Sequence, residues 1–112
     1  MKMIVSIISQ SDELETVSKL NEEGYFVTKL STVGGFLRKG NSTILTVTED
    51  EKVEHAKEII RLHAGKRTER KPIVSQFGEN VFQTTTMSYV DIPTQVGGCT
   101  MFVVDVEDFE KA

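Results

Sequence analysis

The chain has 112 residues, enough for one domain with a two-layer core. Its net charge of −4 argues against a general nucleic-acid binder, and its single cysteine, Cys99, excludes an intramolecular disulfide framework. No window approaches the roughly 18 apolar residues that a membrane span needs. The apolar run after Met1 and Lys2 is too short for a signal peptide, so we expect a cytoplasmic protein.

The first elements are predicted to be a strand and a helix. Residues 3–8 are nearly all apolar with β-branched side chains, which is typical of a central strand buried on both faces. The SDE run at 11–13 favours a helix start, because acids are stabilised at a helix N-terminus. Three apolar residues then recur at helical spacing before Gly24 ends the helix: Leu14, Val17 and Leu20.

Two strands, a second helix and a last strand follow. Residues 25–33 and 43–48 are rich in β-branched side chains. Thr48 and Glu51 are spaced as a capping box, which predicts the start of a helix that ends near Ala64. Residues 100–106 predict another apolar strand.

This order, β-α-β-β-α-β, predicts an α+β fold of the ferredoxin-like type. Four antiparallel strands would carry two helices on one face of the sheet. The strands are too apolar to leave the other face in water, and exposed apolar surfaces of this size usually mark interfaces. We therefore expect a single domain over residues 1–112 that forms an oligomer.

Residues 65–98 interrupt the simple pattern, since they separate the second helix from the last strand. Loops longer than about 12–15 residues are uncommon in compact domains and are often functional. The segment begins with basic residues, and residues 89–92 resemble a short strand before Pro93. The sequence predicts either a mobile loop or an excursion hairpin.

The GGFLRKGN arm, residues 34–41, is the segment best suited to a nucleotide. Glycines let the backbone approach phosphates, an aromatic ring stacks on a base, and arginine binds phosphate with two parallel hydrogen bonds. Lys29 and Arg38 supply a local positive field despite the acidic net charge. A β-hairpin arm whose Phe36 and Leu37 pack on a neighbour is the alternative, and spacing alone slightly favours it.

Catalytic and metal-binding patterns are weak. His55 and His63 are eight residues apart, whereas a four-residue spacing aligns two ligands on a helix. The sequence has neither a GxxxxGK[ST] phosphate loop nor a GxSxG elbow. Residues 43–48 lack the aromatic side chains with which RNA-recognition modules stack bases. The sequence therefore favours a protein that is not an enzyme, that uses no cofactor or metal, and that does not bind RNA or DNA.

Three segments carry a family resemblance over nearly the whole chain. KLSTVGGFLRKGNST, the initial MKMI, and VGGCTMFVVDVEDF resemble the PII-like cyclic di-AMP receptors. The resemblance implies a PII-like homotrimer with its sheet faces packed around a three-fold axis. It also implies a non-catalytic receptor that binds cyclic di-AMP in clefts between subunits.

The resemblance also implies ligand-binding residues. In the arm, the residues that match the segment holding one base and its phosphate are Gly35, Phe36, Leu37 and Asn41. Two strand residues, Thr28 and Phe102, also match ligand contacts. Ordering of the arm and of residues 65–98 on binding would create a new surface for a downstream protein, whose identity the sequence does not contain.

Four positions depart from the family pattern. Gly24 and Phe26 stand where polar base-reading side chains, often Asn and Arg, are expected. Val47 replaces a small glycine, and Lys111 stands where a polar amide would close the pocket. We expect Phe26 to replace hydrogen bonding by stacking. The alternatives are a PII-like regulator of ATP or ADP and an interaction module without a small ligand.

Overall fold

The computed structural model describes residues 1–30, 40–74 and 89–112, excluding the side chains of 70–74 and 89–92. Short 3₁₀ turns, Gln10–Asp12 and Asp50–Lys52, precede the two helices. The elements are β1 Lys2–Ser9, α1 Glu13–Glu22, β2 Phe26–Leu30, β3 Asn41–Thr48, α2 Val53–Ala64, β4 Arg67–Val74, β5 Tyr89–Val96 and β6 Cys99–Asp105.

Four strands form one antiparallel sheet in the order β2-β3-β1-β6. Ile4 of the central strand β1 pairs with Thr46 of β3 on one side and with Val103 of β6 on the other. The helices pack against each other and against this sheet. The predicted ferredoxin-like α+β fold, with a four-stranded antiparallel sheet, is confirmed.

The core lies between the sheet and the helices. Burial alternates along β1, where Ile4, Ser6 and Ile8 are buried and their neighbours only half-buried, as a sheet covered on one face requires. Ile44 of β3 and Ile60 of α2 complete this layer without any exposed surface. Burial of each such side chain contributes about 1.5–3 kcal/mol relative to exposure.

Two local predictions are wrong. The spacing of Leu14 predicts a position on the buried side of the first helix, but its side chain is 84% exposed, whereas Thr16 and Leu20 are buried. The capping box does not form: Thr48 still belongs to β3, and the 3₁₀ turn that follows begins after Glu49 without a side-chain cap. The 3₁₀ turn delays the start of α2 to Val53, which removes Thr48 and Glu51 from capping positions.

Residues 67–96 form a separate compact unit whose described strands are β4 and β5. They pair antiparallel, with Arg67 opposite Val96 and Val74 opposite Tyr89. Of the two structures predicted for this segment, the described residues therefore form the excursion hairpin. The short strand predicted at 89–92 continues to Val96. The predicted strand 25–33 is observed as Phe26–Leu30, and its last three residues lie outside the described residues.

The second face of the sheet points away from the helices. Phe26 and Phe102 on this face are 77% and 54% exposed. The strand register places three cross-strand rows of apolar residues and threonines on it, followed by the polar pair Ser9 and Asn41. The rows contain Met3, Val5, Ile7, Phe26, Thr28, Leu30, Thr43, Leu45, Val47, Thr100, Phe102 and Val104. We call this surface the outer sheet face. No helix within the described ranges is long and apolar enough to cross a membrane.

Candidate functional site

A cleft of about 1270 Å³ lies at one end of the outer sheet face. Residues 106–111, which follow β6, line one part of it, and β2 and β3 line another. Apolar side chains dominate the sheet contribution, which consists of Met3, Phe26, Val27, Thr28, Leu45, Val47, Thr48 and Asp105. This composition suits a flat, largely apolar group such as a nucleobase.

Gly24 lies in the turn that precedes β2, the strand on which Phe26 lines the cleft. Its φ of +91° lies in the left-handed region, where glycine is favoured, and the chain turns there from α1 into β2. The Gly24 and Tyr25 amides donate to the carbonyls of Asn21 and Leu20 at 3.0 and 2.9 Å. Among the described residues, nothing apart from Gly24 itself and its two chain neighbours lies within 4 Å of the position where a Cβ of residue 24 would stand, so there is open space beside this turn.

Tyr25 connects the same turn to the start of α2. Its ring is only 7% exposed, and its hydroxyl lies 2.6 Å from Nδ1 of His55 and 3.3 Å from the carbonyl oxygen of Lys52. Burial raises the pKa of Tyr25. His63, the other histidine, lies 3.2 Å from Oε1 of Glu15 and so joins α2 to α1. The described residues contain no cluster of three or more side chains suited to a metal ion.

Carboxylates make the rim of the cleft acidic. Glutamates and aspartates outnumber the two lysines that line it, Lys52 and Lys111; the acids are Glu23, Glu49, Asp105, Glu107, Asp108 and Glu110. Asp105 accepts a hydrogen bond from Lys2, which raises the pKa of that lysine. The rim therefore suits the neutral, hydrogen-bond-donating part of a ligand better than a phosphate.

One cation lies directly over an aromatic ring in the cleft. Nζ of Lys111 is 5.0 Å from the centroid of the Phe26 ring. Ammonium groups within about 6 Å of a ring centroid are attracted by the negative face of the ring. The contact connects residues 106–111 to β2.

Comparison with known proteins assigns the chain to a family. The family model for the cyclic-di-AMP receptor matches residues 1–112, the whole chain. The chain belongs to the cyclic-di-AMP receptor family. It is also similar, at 30% sequence identity and a TM-score of 0.74, to a crystal structure described as a functionally unknown protein from Pediococcus pentosaceus ATCC 25745. That match covers 99% of this chain and 96% of the other, and it is consistent with the PII-like fold.

Four of the sequence-predicted site residues lie in three places on the sheet. Phe26 and Thr28 line the cleft. Phe102 lies on β6 in the same cross-strand row of the outer sheet face as Thr28. Asn41 lies at the start of β3, opposite Ser9, and is exposed. Gly35, Phe36, Leu37 and Arg38 lie outside the described residues, so their predicted roles remain predictions.

Lys29 lies on the opposite side of β2 from Phe26 and Thr28. Its Nζ is 2.7 Å from Oε1 of Glu13 on α1, and Ser42 donates a second hydrogen bond to the same carboxylate. These two donors hold the pKa of Glu13 below its ordinary value. The predicted ligand-binding role of Lys29 remains untested, but the structure shows a contact that joins α1 to the sheet.

The four positions expected from the resemblance to depart from the family pattern all line one cleft: Gly24, Phe26, Val47 and Lys111. The sequence also left unassigned several lining residues, among them Met3, Leu45 and residues 106–110. Alternation along β3 was a usable signal for Leu45, which shares a face with Val47. Residues 106–110 lack regular structure, and no periodicity could have placed them there.

Proposed function

We propose that this protein is a non-catalytic signalling receptor that binds cyclic di-AMP in clefts between the subunits of a homotrimer. The observation that carries the proposal is the match of the receptor family over all 112 residues. The cleft supports it, because it offers an exposed aromatic ring and an apolar floor to a base. Base–aromatic stacking is worth about 1–3 kcal/mol per base.

The outer sheet face supports the trimer. Three rows of apolar residues and threonines cross all four strands, and Phe102 and Val104 of the edge strand β6 are exposed. Burial of apolar surface between subunits stabilises an assembly by roughly 25 cal/mol per Å². A trimer packed through this face would place β6 of one subunit near the cleft of the next.

The two parts of the ligand are proposed to bind different segments. One adenine packs on Phe26 in the cleft, where the acidic rim disfavours a phosphate. The phosphates bind the GGFLRKGN arm through backbone amides and Arg38, as its sequence predicts. Binding orders the arm, and the new surface recruits a downstream cytoplasmic protein.

Thermal shift and calorimetric titration against a nucleotide panel test the proposal. A ligand that binds only the folded state stabilises it according to its concentration over its Kd. We expect cyclic di-AMP to raise the melting temperature and to release or absorb heat, with one site per subunit and three subunits per particle. Sedimentation on the same sample gives the particle mass. A response to ATP or ADP but not to cyclic di-AMP would contradict the assigned ligand.

Another nucleotide is the second candidate, because the four departures from the family pattern lie together in the cleft. Gly24, Phe26 and Val47 offer no side-chain hydrogen-bonding group to a base. A regulator of ATP or ADP would use the same ring for stacking. An interaction module without a small ligand would show no response to any member of the panel.

A further inference from the structure

One face of the Phe26 ring is covered by a cation from the same chain. The ring is 77% exposed to solvent, and Nζ of Lys111 lies 5.0 Å from its centroid. Phe26 pairs with Val47, so both residues belong to the outer sheet face, and both line the cleft together with Lys111. A base that stacks on this side of the ring needs the position that the ammonium group holds.

The segment that carries Lys111 is weakly attached. The Val106 amide donates to the Met1 carbonyl at 3.2 Å. Among the described residues, the contact with Phe26 is the only hydrogen bond, ion pair or cation–ring contact of residues 107–112. Lys111 is also the only cation in this segment, beside the acids Glu107, Asp108 and Glu110. Its ammonium group therefore leaves the ring without breaking a network of other bonds.

We propose that Lys111 is an intramolecular competitor that sets the affinity of the cleft by covering Phe26 when no base is bound. The inference rests on the proposed function, because it takes Phe26 as the stacking surface for a base. A ligand must displace the ammonium group before it stacks, so its apparent affinity is reduced. The free energy of an exposed cation–ring contact corresponds to a reduction of roughly 2- to 5-fold in the apparent affinity for the ligand.

The opposite role makes the opposite prediction. If Lys111 bound a phosphate of the ligand, its removal would weaken binding. The acidic residues of its own segment argue against that role, because they lower the electrostatic attraction of a dianionic ligand to this wall of the cleft. The sign of the change in affinity therefore separates a competitor from a ligand contact.

Calorimetric titration with cyclic di-AMP tests the proposal on four variants of the full chain. Lys111→Met keeps the unbranched side chain and removes the charge. We expect it to tighten binding roughly 2- to 5-fold. Lys52→Met, the matched control, removes the same charge from the same cleft but away from this contact, and we expect no tightening. In a Phe26→Leu background, Lys111→Met should also produce no tightening, because the ring is gone.

Three results would overturn the inference but leave the proposed function intact, provided that the wild type binds cyclic di-AMP. Lys111→Met could leave the affinity unchanged, Lys111→Met could weaken it, or Lys52→Met could tighten binding as much as Lys111→Met does. Absence of binding by wild type and by Lys111→Met overturns the proposed function, and the inference with it. A ligand-free measurement tests the contact itself. The ε-methylene protons of Lys111 should resonate upfield in wild type and return to their ordinary shift in Phe26→Leu, and an ordinary shift in wild type contradicts the contact.

Discussion

Glu13 joins three elements of the fold at a single carboxylate. Its Oε1 lies 2.7 Å from Nζ of Lys29 on β2, and its other oxygen accepts a hydrogen bond from Ser42 on β3. The Glu13 side chain is 16% exposed and the Lys29 side chain is 52% exposed, so water still partly screens this pair. The helix α1 is thereby fixed to the edge of the sheet that leads to the cleft.

Replacing Glu13 by Gln should lower the free energy of unfolding by about 1 kcal/mol at pH 7. The pKa of Glu13 is lowered in the folded protein, so its stabilising contribution is complete above the unfolded pKa of about 4.3. The contribution is lost as the pH falls through the folded pKa. Urea denaturation of both proteins at pH 7, 5.5 and 3 should show a difference that is constant between the first two values and smaller at the third.

Glu22→Gln is the control for this prediction, since Glu22 is an exposed acid on the same helix with a weak pair to Lys19 at 3.5 Å. We expect it to change the free energy of unfolding by less than about 0.5 kcal/mol at every pH. An effect of Glu13→Gln that stayed equal at pH 7 and pH 3 would show that the carboxylate charge does not matter there.

Phe26 is the predicted ligand contact whose ring lines the cleft and is mostly exposed. Phe26→Ala should weaken cyclic di-AMP binding roughly 5- to 150-fold, the range that corresponds to the loss of one base–aromatic stack. Leu30→Ala is the matched control, because Leu30 lies on the same strand and face but does not line the cleft. Calorimetric titration of both variants measures the effect, and equal Kd values for Phe26→Ala and wild type would exclude stacking on this ring.

Residue-level prediction from the sequence succeeded where a local pattern had a single physical cause. The apolar run at 3–8 correctly predicted a central strand, although only alternate residues of β1 are buried within one chain. Leu14 failed because repeated three-residue steps do not stay on one face. At 3.6 residues per turn, Leu14 lies about 120° around the helix from the buried Leu20. Neighbours that are distant in sequence decide other cases: the contact between Phe26 and Lys111 spans most of the chain.

The element α2 shows how one helix separates core from surface. Ile60 has no exposed surface, whereas Leu62, two residues later, is 73% exposed. Ile60→Ala should lower the free energy of unfolding by about 2–5 kcal/mol, because it leaves a cavity in the core. Leu62→Ala removes a similar side chain from the surface and should change it by less than about 0.5 kcal/mol. Denaturant titration of both variants checks this, and equal losses would contradict the observed orientation of the helix.

Element order was predictable because each strand and helix has its own period, whereas element ends depended on turns. The 3₁₀ turns before both helices displaced the predicted caps by a few residues. The strands β4 and β5 were harder to predict, because the segment is polar and contains Pro72 and Pro93, which usually argue against a central strand. They form a two-stranded sheet, where every strand is an edge strand and proline is tolerated.

At the scale of the whole molecule, the outer sheet face requires an explanation that one subunit does not provide. Its exposed aromatic residues lie on opposite edge strands, with Phe26 on β2 and Phe102 on β6. In the proposed trimer, packing of this face buries Phe102 and completes each cleft with residues of a neighbour. Assembly and ligand binding should therefore fail together when this face is disrupted.

Phe102→Glu is expected to convert the trimer into monomers that remain folded. A carboxylate buried at an interface without a partner costs several kcal/mol, whereas in the free subunit this position is 54% exposed and tolerates a charge. Sedimentation velocity at micromolar concentration gives the mass, and circular dichroism checks the fold.

Leu14→Glu is the matched control for this prediction: Leu14 is 84% exposed on a helix, so this variant should remain trimeric. The monomeric variant should also lose cyclic di-AMP binding, since its cleft lacks the neighbouring subunit and the predicted ligand contact of Phe102 is removed as well. Retained binding by a monomer would place the whole ligand site within one chain, and a trimeric Phe102→Glu would show that another surface holds the subunits together.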